Sequence, residues 1–400
     1  MPARYRVLVT DPLQRAALSC VRALGRGGHD VFTIGASRGL AGASRFARRH
    51  IALSPGRDRD PACFVEDVRA AVSRYGIDVV VPITDAASRI LLPAANHVGC
   101  RIAGPDAAAY ERVSNKALLM ATAPACGLRV PAQVVLEHPE AGIAGHAMEF
   151  EAGIVKPSRS AIHRAGKVIQ VGVRYVGTAG ELARAVDAYP PEAFPLLVQE
   201  RCAGDGLGVF LLRDRGKTLL SAGHRRLREK PPSGGVSTYR EAVAPPPDLL
   251  SRCERLLDAL EYSGPAMVEF KGTLGSGTPA LMEINARLWG SVQLAVAAGV
   301  NFPLGLVQWA MGDTPAPSAL SAGTRCYWEW GEIDHALALW RKSAESLHLP
   351  PGTPTGLRAA LQVLVSHRAG DQREVLDFRD PLPFLMESGQ WISTLVSGKS

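Results

Sequence analysis

Two glutamates and an asparagine stand out for what they could do together. The run Ala266-Met267-Val268-Glu269-Phe270-Lys271 alternates, which places Glu269 and Lys271 on one strand face. Val268 and Phe270 then point to the other. Leu281-Met282-Glu283-Ile284-Asn285 alternates in the same way, with Glu283 and Asn285 sharing a face. A glycine-rich turn separates them, so Ala266–Gly272 and Pro279–Ala286 are expected to form a β-hairpin. Paired, the strands bring two carboxylates and an amide oxygen together. Like charges facing each other across a sheet repel. A cation between them removes that penalty. Hard oxygen ligands of this kind suit Mg²⁺, whose remaining ligands are phosphate and water. The plain alternative is two unrelated glutamates on a solvated hairpin.

The residues around this hairpin resemble the ATP-grasp family. Its catalytic domain ends with a Glu on one strand, Glu-x-Asn on the next, and then an Arg. Here these are Glu269, Glu283-Ile284-Asn285 and Arg287. Other pieces follow in the family's order. Ser114-Asn115-Lys116 is similar to the helix carrying its first nucleotide-contacting lysine. Ile154-Val155-Lys156-Pro157 is similar to the strand whose lysine meets the ATP phosphates. Val198-Gln199-Glu200-Arg201-Cys202 is similar to the hinge that reads adenine, and Asp205 stands where an acid often holds the ribose. The likeness spans residues 1–312. It implies ATP and Mg²⁺ (or Mn²⁺) as cofactors. Lys116, Lys156, Gln199, Glu200, Cys202 and Asp205 would bind the nucleotide, and Glu269, Glu283 and Asn285 the metal. Lysines act on phosphate as flexible point charges, and Arg287 can fork onto a phosphate or carboxylate.

The densest positive run is His224-Arg225-Arg226-Leu227-Arg228-Glu229-Lys230. Strand alternation would place Arg226 and Arg228 together, as a grip for an acidic substrate and its acyl phosphate. Gly234-Gly235 would let the next loop close over them. The stretch resembles the matching part of the carboxylate–amine ligase branch, so Arg226, Arg228 and Arg287 are its candidate catalytic residues. A nucleic-acid reading lacks the flanking aromatic platform it would need beyond Tyr239. The loop 157–167 departs from the family, holding only Gly166 where glycine amides usually wrap phosphates. Arg159, Ser160 and His163 stand where side chains could substitute.

The resemblance thus implies an ATP-dependent ligase joining a small carboxylate to an amine, with release of ADP and phosphate. A bicarbonate-activating, carboxylase-like enzyme and a non-catalytic ATP-binding protein are the alternatives. Neither a nucleic-acid nor a membrane partner is expected. A homodimer is left open.

These residues must be positioned by α/β and α+β elements. Arg6–Thr10 reads as a strand, Gln14–Leu24 as a helix ended by Gly25, Gly27 and Gly28, and Val31–Ile34 as a parallel strand. The first turn is Thr10-Asp11-Pro12-Leu13-Gln14, without the glycines of a dinucleotide fingerprint. Phe64–Tyr75 continues as helix, with strands at Val79–Pro82 and Cys100–Ala103 and a helix from Asp106. Ser114–Gly127 reads as one helix. Strands are expected at Gln133–Leu136, Gly153–Lys156, Val168–Tyr175, Leu196–Gln199, Gly208–Leu212 and Thr218–Gly223. Asp248 is expected to cap a helix that Gly264 stops, and Trp289–Ala298 to be helical.

The expected organisation is an open parallel α/β (pre-ATP-grasp) domain at 1–110 and a small lobe with a linker helix at 111–200. A large lobe at 201–312 and a C-terminal α+β region at 313–400 follow. Trp328, Trp330 and Trp340 in that last region are expected in the core, with an interface as the alternative. A chain of 400 residues with 46% hydrophobic and 21% charged residues can bury a substantial core. No run approaches the roughly 18 apolar residues that span a bilayer. Seven scattered cysteines without a CxxC pair fit a reducing cytoplasm rather than a disulfide framework or zinc site. The net charge of +7 suits an anionic ligand.

Overall fold

A computed structural model describes residues 3–53, 60–138, 153–159, 161–164, 167–273, 276–350 and 352–397. The first strands are β1 (Arg6–Thr10), β2 (Asp30–Gly35), β3 (Ala47–Ala52), β4 (Val79–Val81) and β5 (Arg101–Ile102). They form a parallel sheet in the order β3-β2-β1-β4-β5. Val7, Val9, Val79 and Val81 pack on one side with α1 (Arg15–Arg26); α2 (Gly39–Ala43) also joins this core. Leu8 and Val80 pack on the other with α3 (Pro61–Tyr75) and α4 (Asp85–Leu91), and α5 (Ala95–Val98) completes that layer. Cover on both faces explains why these strands are continuous apolar runs. Sequence patterning misses β3, whose Ala-Arg-Arg-His-Ile-Ala is charged as befits an edge strand. It also starts α3 too late, because the helix begins at Pro61 under an Asp60 cap.

The expected single helix over Ser114–Gly127 is instead broken. The helix α6 (Ala107–Ser114) ends at Asn115, which is extended and caps α7 (Lys116–Thr122) by accepting from the Ala117 and Leu118 N–H groups. Asparagine favours such a cap over a helix interior. A 3₁₀ turn over Ala123–Cys126, with Pro124, then stops the chain at Gly127. The small lobe holds β6 (Gln133–Leu136), β7 (Gly153–Pro157), β8 (Ala161–Arg164), β9 (Lys167–Gln170), β10 (Arg174–Val176), α8 (Ala179–Asp187) and β11 (Leu196–Glu200). Its main sheet is antiparallel in the order β10-β7-β11-β6, while β8 and β9 make a separate hairpin. The strand expected over Val168–Tyr175 is thus two strands, each with its own partner.

The large lobe comprises β12 (Asp205–Asp214), β13 (Lys217–Lys230), β14 (Val236–Val243), α9 (Pro247–Ala259), β15 (Gly264–Thr273), β16 (Ser276–Asn285), α10 (Val292–Ala297) and α11 (Phe302–Met311). Charged residues at the end of β13 hid its length, since patterning stops where apolar residues stop. Asp248 does not cap α9. The helix starts at Pro247 after Pro246, and Asp248 sits in its first turn. Nor does Gly264 stop it; α9 ends at Ala259 and Gly264 opens β15. Trp289 precedes α10 and is buried, stacked on Phe210 with ring centroids 4.3 Å apart. Together they join the large sheet to α1 in one core.

The chain then returns through β17 (Arg325–Tyr327), α12 (Glu329–Arg341), α13 (Leu357–Val365), β18 (Gln372–Arg373) and α14 (Leu382–Ser397). β17 and β18 extend the large sheet to seven strands, β16-β15-β12-β13-β14-β17-β18. Trp328 and Trp330 are half-buried, but Trp340 is 51% exposed and is not a core residue. Among the described residues, no helix is long and apolar enough to cross a membrane, and all seven cysteines are free.

A buried ion pair docks this last region on the first domain. Arg22 on α1 donates from Nε to Asp380 Oδ2 at 2.9 Å and from Nη2 to the Asp380 carbonyl at 3.0 Å. Ser44 Oγ and the Arg45 N–H also donate to the Asp380 carboxylate, at 2.6 and 2.8 Å. Replacing Asp380 with Ala leaves Arg22 buried without its counter-ion. That change is expected to lower stability by about 3–5 kcal/mol in urea unfolding. A loss under about 1 kcal/mol would show the pair to be dispensable.

Candidate active site

The antiparallel register of β15 and β16 sets Glu269 directly opposite Glu283. Each carboxylate meets a cation from a different element. Lys116 Nζ on α7 lies 3.1 Å from Glu283 Oε2. Arg226 Nη2 on β13 lies 2.7 Å from Glu269 Oε2. Room for Arg226 comes from Gly206 on β12, where a Cβ would stand 2.6 Å from Arg226 Cδ. The Lys116 ammonium, helped by Lys156, holds the Glu283 carboxyl well below the usual range. Burial pushes Glu269 the other way, and the Glu283 charge adds to this against the pull of Arg226.

Lys156 reaches the same place from the small lobe. It is buried on β7, and Nζ donates to the Met282 carbonyl at 3.4 Å. Burial first, then the neighbouring Lys116 charge, lowers Lys156 to about 8; Glu283 and Glu269 oppose the shift. The Lys116 N–H also donates to the Ser158 carbonyl at 2.9 Å, which ties α7 to the end of β7. Two lysines and two glutamates from three parts of the chain therefore share one centre.

Arg287 extends this centre toward the first domain. Its Nη2 donates to Asn285 Oδ1 at 3.3 Å and to Asp85 Oδ2 at 2.9 Å. Asn285 Nδ2 in turn donates to Glu283 Oε1 at 3.3 Å. Tyr110 donates its hydroxyl proton to Asp85 Oδ1 at 2.8 Å. Burial alone would raise the Asp85 carboxyl; Arg287 and Tyr110 outweigh it and hold it below its usual range. A narrow cavity here is lined by Asp85, Arg89, Ser114, Lys116, Glu283 and Asn285. Sequence reading missed Asp85. The available signal was its place just past β4, since parallel α/β sheets carry their sites at the carboxyl ends of strands.

Arg226 and Arg228 do not act as one grip. Arg226 pairs across the ladder with Arg240, but Arg228 pairs with Tyr239, the adjacent residue of β14. This bulge breaks the alternation that the sequence argument assumed. Arg226 stays at the centre, bonded also to Glu229 at 2.9 Å. Arg228 turns to the C-terminal region, where Nε donates to Glu332 at 2.8 Å and the guanidinium lies 4.5 Å from the Tyr239 ring centroid. Glu229 was also missed. It bridges Arg226 and Lys271, the latter at 3.0 Å. The Gly235 carbonyl accepts from Arg226 at 3.1 Å.

The expected hinge residues lie on β11 and just beyond it. Gln199 is buried and donates from Nε2 to Gln133 Oε1 at 2.5 Å. Glu200 Oε1 lies 3.1 Å from Arg129 Nη2. The Cys202 thiol is half-buried and pushed up, by burial first and then by Glu200. Asp205 opens β12 opposite Gly272. In the glycine-poor loop, Ser160, Ala165 and Gly166 lie outside the described residues, while Arg159 pairs with Glu111 at 3.2 Å.

The donor set fits a hard divalent cation. Glu269 and Glu283 carry carboxylate oxygens and Asn285 an amide oxygen, and no third His, Cys, Asp or Glu joins them as a metal cluster among the described residues. Such a set leaves most of a Mg²⁺ shell to phosphate and water.

Residues 192–330 match the model of a family described as ATP-grasp in the biosynthetic pathway with Ter operon. No curated protein matches the sequence significantly. Similar solved structures include biotin carboxylase from Campylobacter jejuni in a β-γ-ATP complex (15% identity, 81% of this chain and 74% of that one, TM-score 0.62). Another is the L-amino acid ligase from Bacillus licheniformis (18% identity, 80% and 76%, TM-score 0.59). A third is the biotin carboxylase domain dimer of Hydrogenobacter thermophilus 2-oxoglutarate carboxylase, with MgADP, ADP and bicarbonate (15% identity, 81% and 74%, TM-score 0.62). The match over residues 192–330 and the fold shared with these structures make the chain similar to ATP-grasp enzymes.

Proposed function

We propose that the chain is an ATP-dependent ligase that activates a small carboxylate and joins it to an amine. The observation that carries this reading is Glu269 facing Glu283 where Lys116 and Lys156 converge. In the first step a substrate carboxylate oxygen attacks the γ-phosphorus, the bond to the β–γ bridging oxygen breaks, and ADP leaves. The product is an acyl phosphate. In the second, the amine nitrogen attacks the acyl carbon, the C–O bond to phosphate breaks, and the nitrogen gives up a proton. Phosphate leaves with the electron pair.

The side chains work by position and charge. Lys116 and Lys156 neutralise phosphate oxygens. Asn285 and Asp85 hold Arg287 so that its fork meets the carboxylate or the transferred phosphoryl group. Glu269, Glu283 and Asn285 would hold Mg²⁺, which when bound offsets charge on the phosphates. Gln199, Glu200, Cys202 and Asp205 would line the nucleotide base and ribose. The division at 110, 200 and 312 then separates the substrate-facing domain, the two nucleotide-binding lobes and the C-terminal region.

A second reading has its own support, because two of the structures above are biotin carboxylases. There bicarbonate takes the place of the organic acid. Hydroxylamine trapping with ATP and a carboxylate panel separates the two. Hydroxamate formed with an organic acid supports the ligase; ADP release driven by bicarbonate without an amine supports the carboxylase. ATP binding with no ADP release from any acid would refute both.

Two further outcomes are expected. Glu283→Gln should lower ADP release by about 10²–10³-fold. Unchanged turnover would remove Glu283 from the machinery. Lys156 sits near 8 before ATP arrives, so ATP binding in that range takes up a proton as phosphate charge restores the ammonium. Affinity should therefore fall as pH rises from 7 to 9, by up to about tenfold per unit above 8. Titration calorimetry in buffers of different ionisation enthalpy reads that proton. Lys156→Arg should remove both the slope and the uptake, because guanidinium stays charged. A flat wild-type profile would contradict the assignment.

A further inference from the structure

A second cavity, of about 240 Å³, opens at the carboxyl ends of β1 and β2 in the first domain. Its floor and walls are apolar, with Ile34, Leu53, Phe64 and Ile90 among them. Leu13 at its rim is 51% exposed. Among the described residues, Asp11 is the single charged side chain in its lining, with Gln14 and Ser37 as the other polar side chains. This is where a doubly wound sheet of this order presents a ligand.

The chemistry of the place is opposite to that of a phosphate cradle. The turn after β1 has Asp11 and Pro12 instead of glycines, so it offers a carboxylate and lacks one N–H. Pro12 is fitted against Gly35, where a Cβ would stand 2.5 Å from Pro12 Cδ. Asp11 itself is held in the left-handed region at φ 55. That conformation is uncommon outside glycine and is best tolerated by Asn and Asp. Its Oδ2 accepts from Thr10 Oγ1 at 2.5 Å and from the Thr84 N–H at 3.3 Å. The turn is thus fixed in advance around a carboxylate.

The cavity is also coupled to the centre described above. Thr84 caps α4, and its neighbour Asp85 holds Arg287. Ala86, Ala87 and Ile90 of the same helix line the cavity. One hydrogen bond and one peptide unit therefore separate Asp11 from the residue that orients Arg287.

We propose that this cavity binds a small amphipathic primary amine, with its ammonium at Asp11 and its apolar body against Leu53, Phe64 and Ile90. Two sources share that chemistry: the acceptor amine of the proposed ligase and a free amine effector. Binding stands without the ligase reading, whereas the acceptor role rests on it.

The test uses the full chain and n-hexylamine as probe, with hexanoate and hexanol of like size as controls. Titration should show saturable hexylamine binding and none by hexanoate. Asp11→Asn keeps a residue suited to φ 55 and an oxygen for Thr84 while removing the charge, so hexylamine should bind about tenfold or more weakly. Ala86→Leu fills the cavity from α4 while leaving the Asp11 charge in place, and should weaken it likewise. ATP affinity should be unchanged in both, which reports that they are folded. Equal hexylamine affinity in wild type and both variants overturns the proposal, as does hexanoate binding as tightly as hexylamine.

Turnover then separates the sources. Hexylamide formed at an Asp11-dependent KM, with hydroxamate formation unaffected, marks the acceptor site. ADP release altered by hexylamine without amide marks an effector site. Loss of all ADP release with every acid would count against the ligase reading, while the binding arm still decides the cavity.

Discussion

Two negative charges set face to face across an antiparallel ladder constrain most of this molecule. Glu269 and Glu283 are fixed by backbone register, so they cannot move apart without shifting a strand. Removing them from water without counter-charges is strongly unfavourable. The fold answers by delivering cations from separate places: Lys116 from a helix start, Lys156 from the small lobe and Arg226 from the neighbouring strand. Each delivery needs a local device, such as the Asn115 cap or the space at Gly206.

The same arrangement explains the uneven proton affinities at the centre. Glu283 has two lysines and is held ionised; Lys156 is buried beside another ammonium and its pKa is lowered to about 8. A polyanion entering there meets charge already gathered and already desolvated. Preorganised charge of this kind needs little rearrangement when phosphate arrives.

Much of this was legible in the sequence, and the failures have physical causes. The hairpin, its register face and the lysine-bearing elements followed from alternation and from the order of motifs. Arg228 did not, because a bulge in β13 is invisible to a period-two argument. Asp85 and Glu229 carry no motif; they matter through partners 202 and 42 residues away, Arg287 and Lys271. The edge strand β3 and the far end of β13 were hidden by charged residues whose compensation lies in tertiary contacts. Residues 313–400 offered little because their short strands β17 and β18 exist only as additions to an edge already built.

The Arg22–Asp380 contact has a consequence for how the polypeptide matures. On a ribosome the first domain emerges long before residue 380 does. Its sheet and helices are local, so they can condense early. Arg22 must nonetheless wait, solvated or wrongly paired, for an anion supplied 358 residues later. Arg240 and Arg15 wait likewise for Glu374. The domain that looks most independent by topology is therefore completed late, because its final packing waits for residues 374 and 380 to emerge.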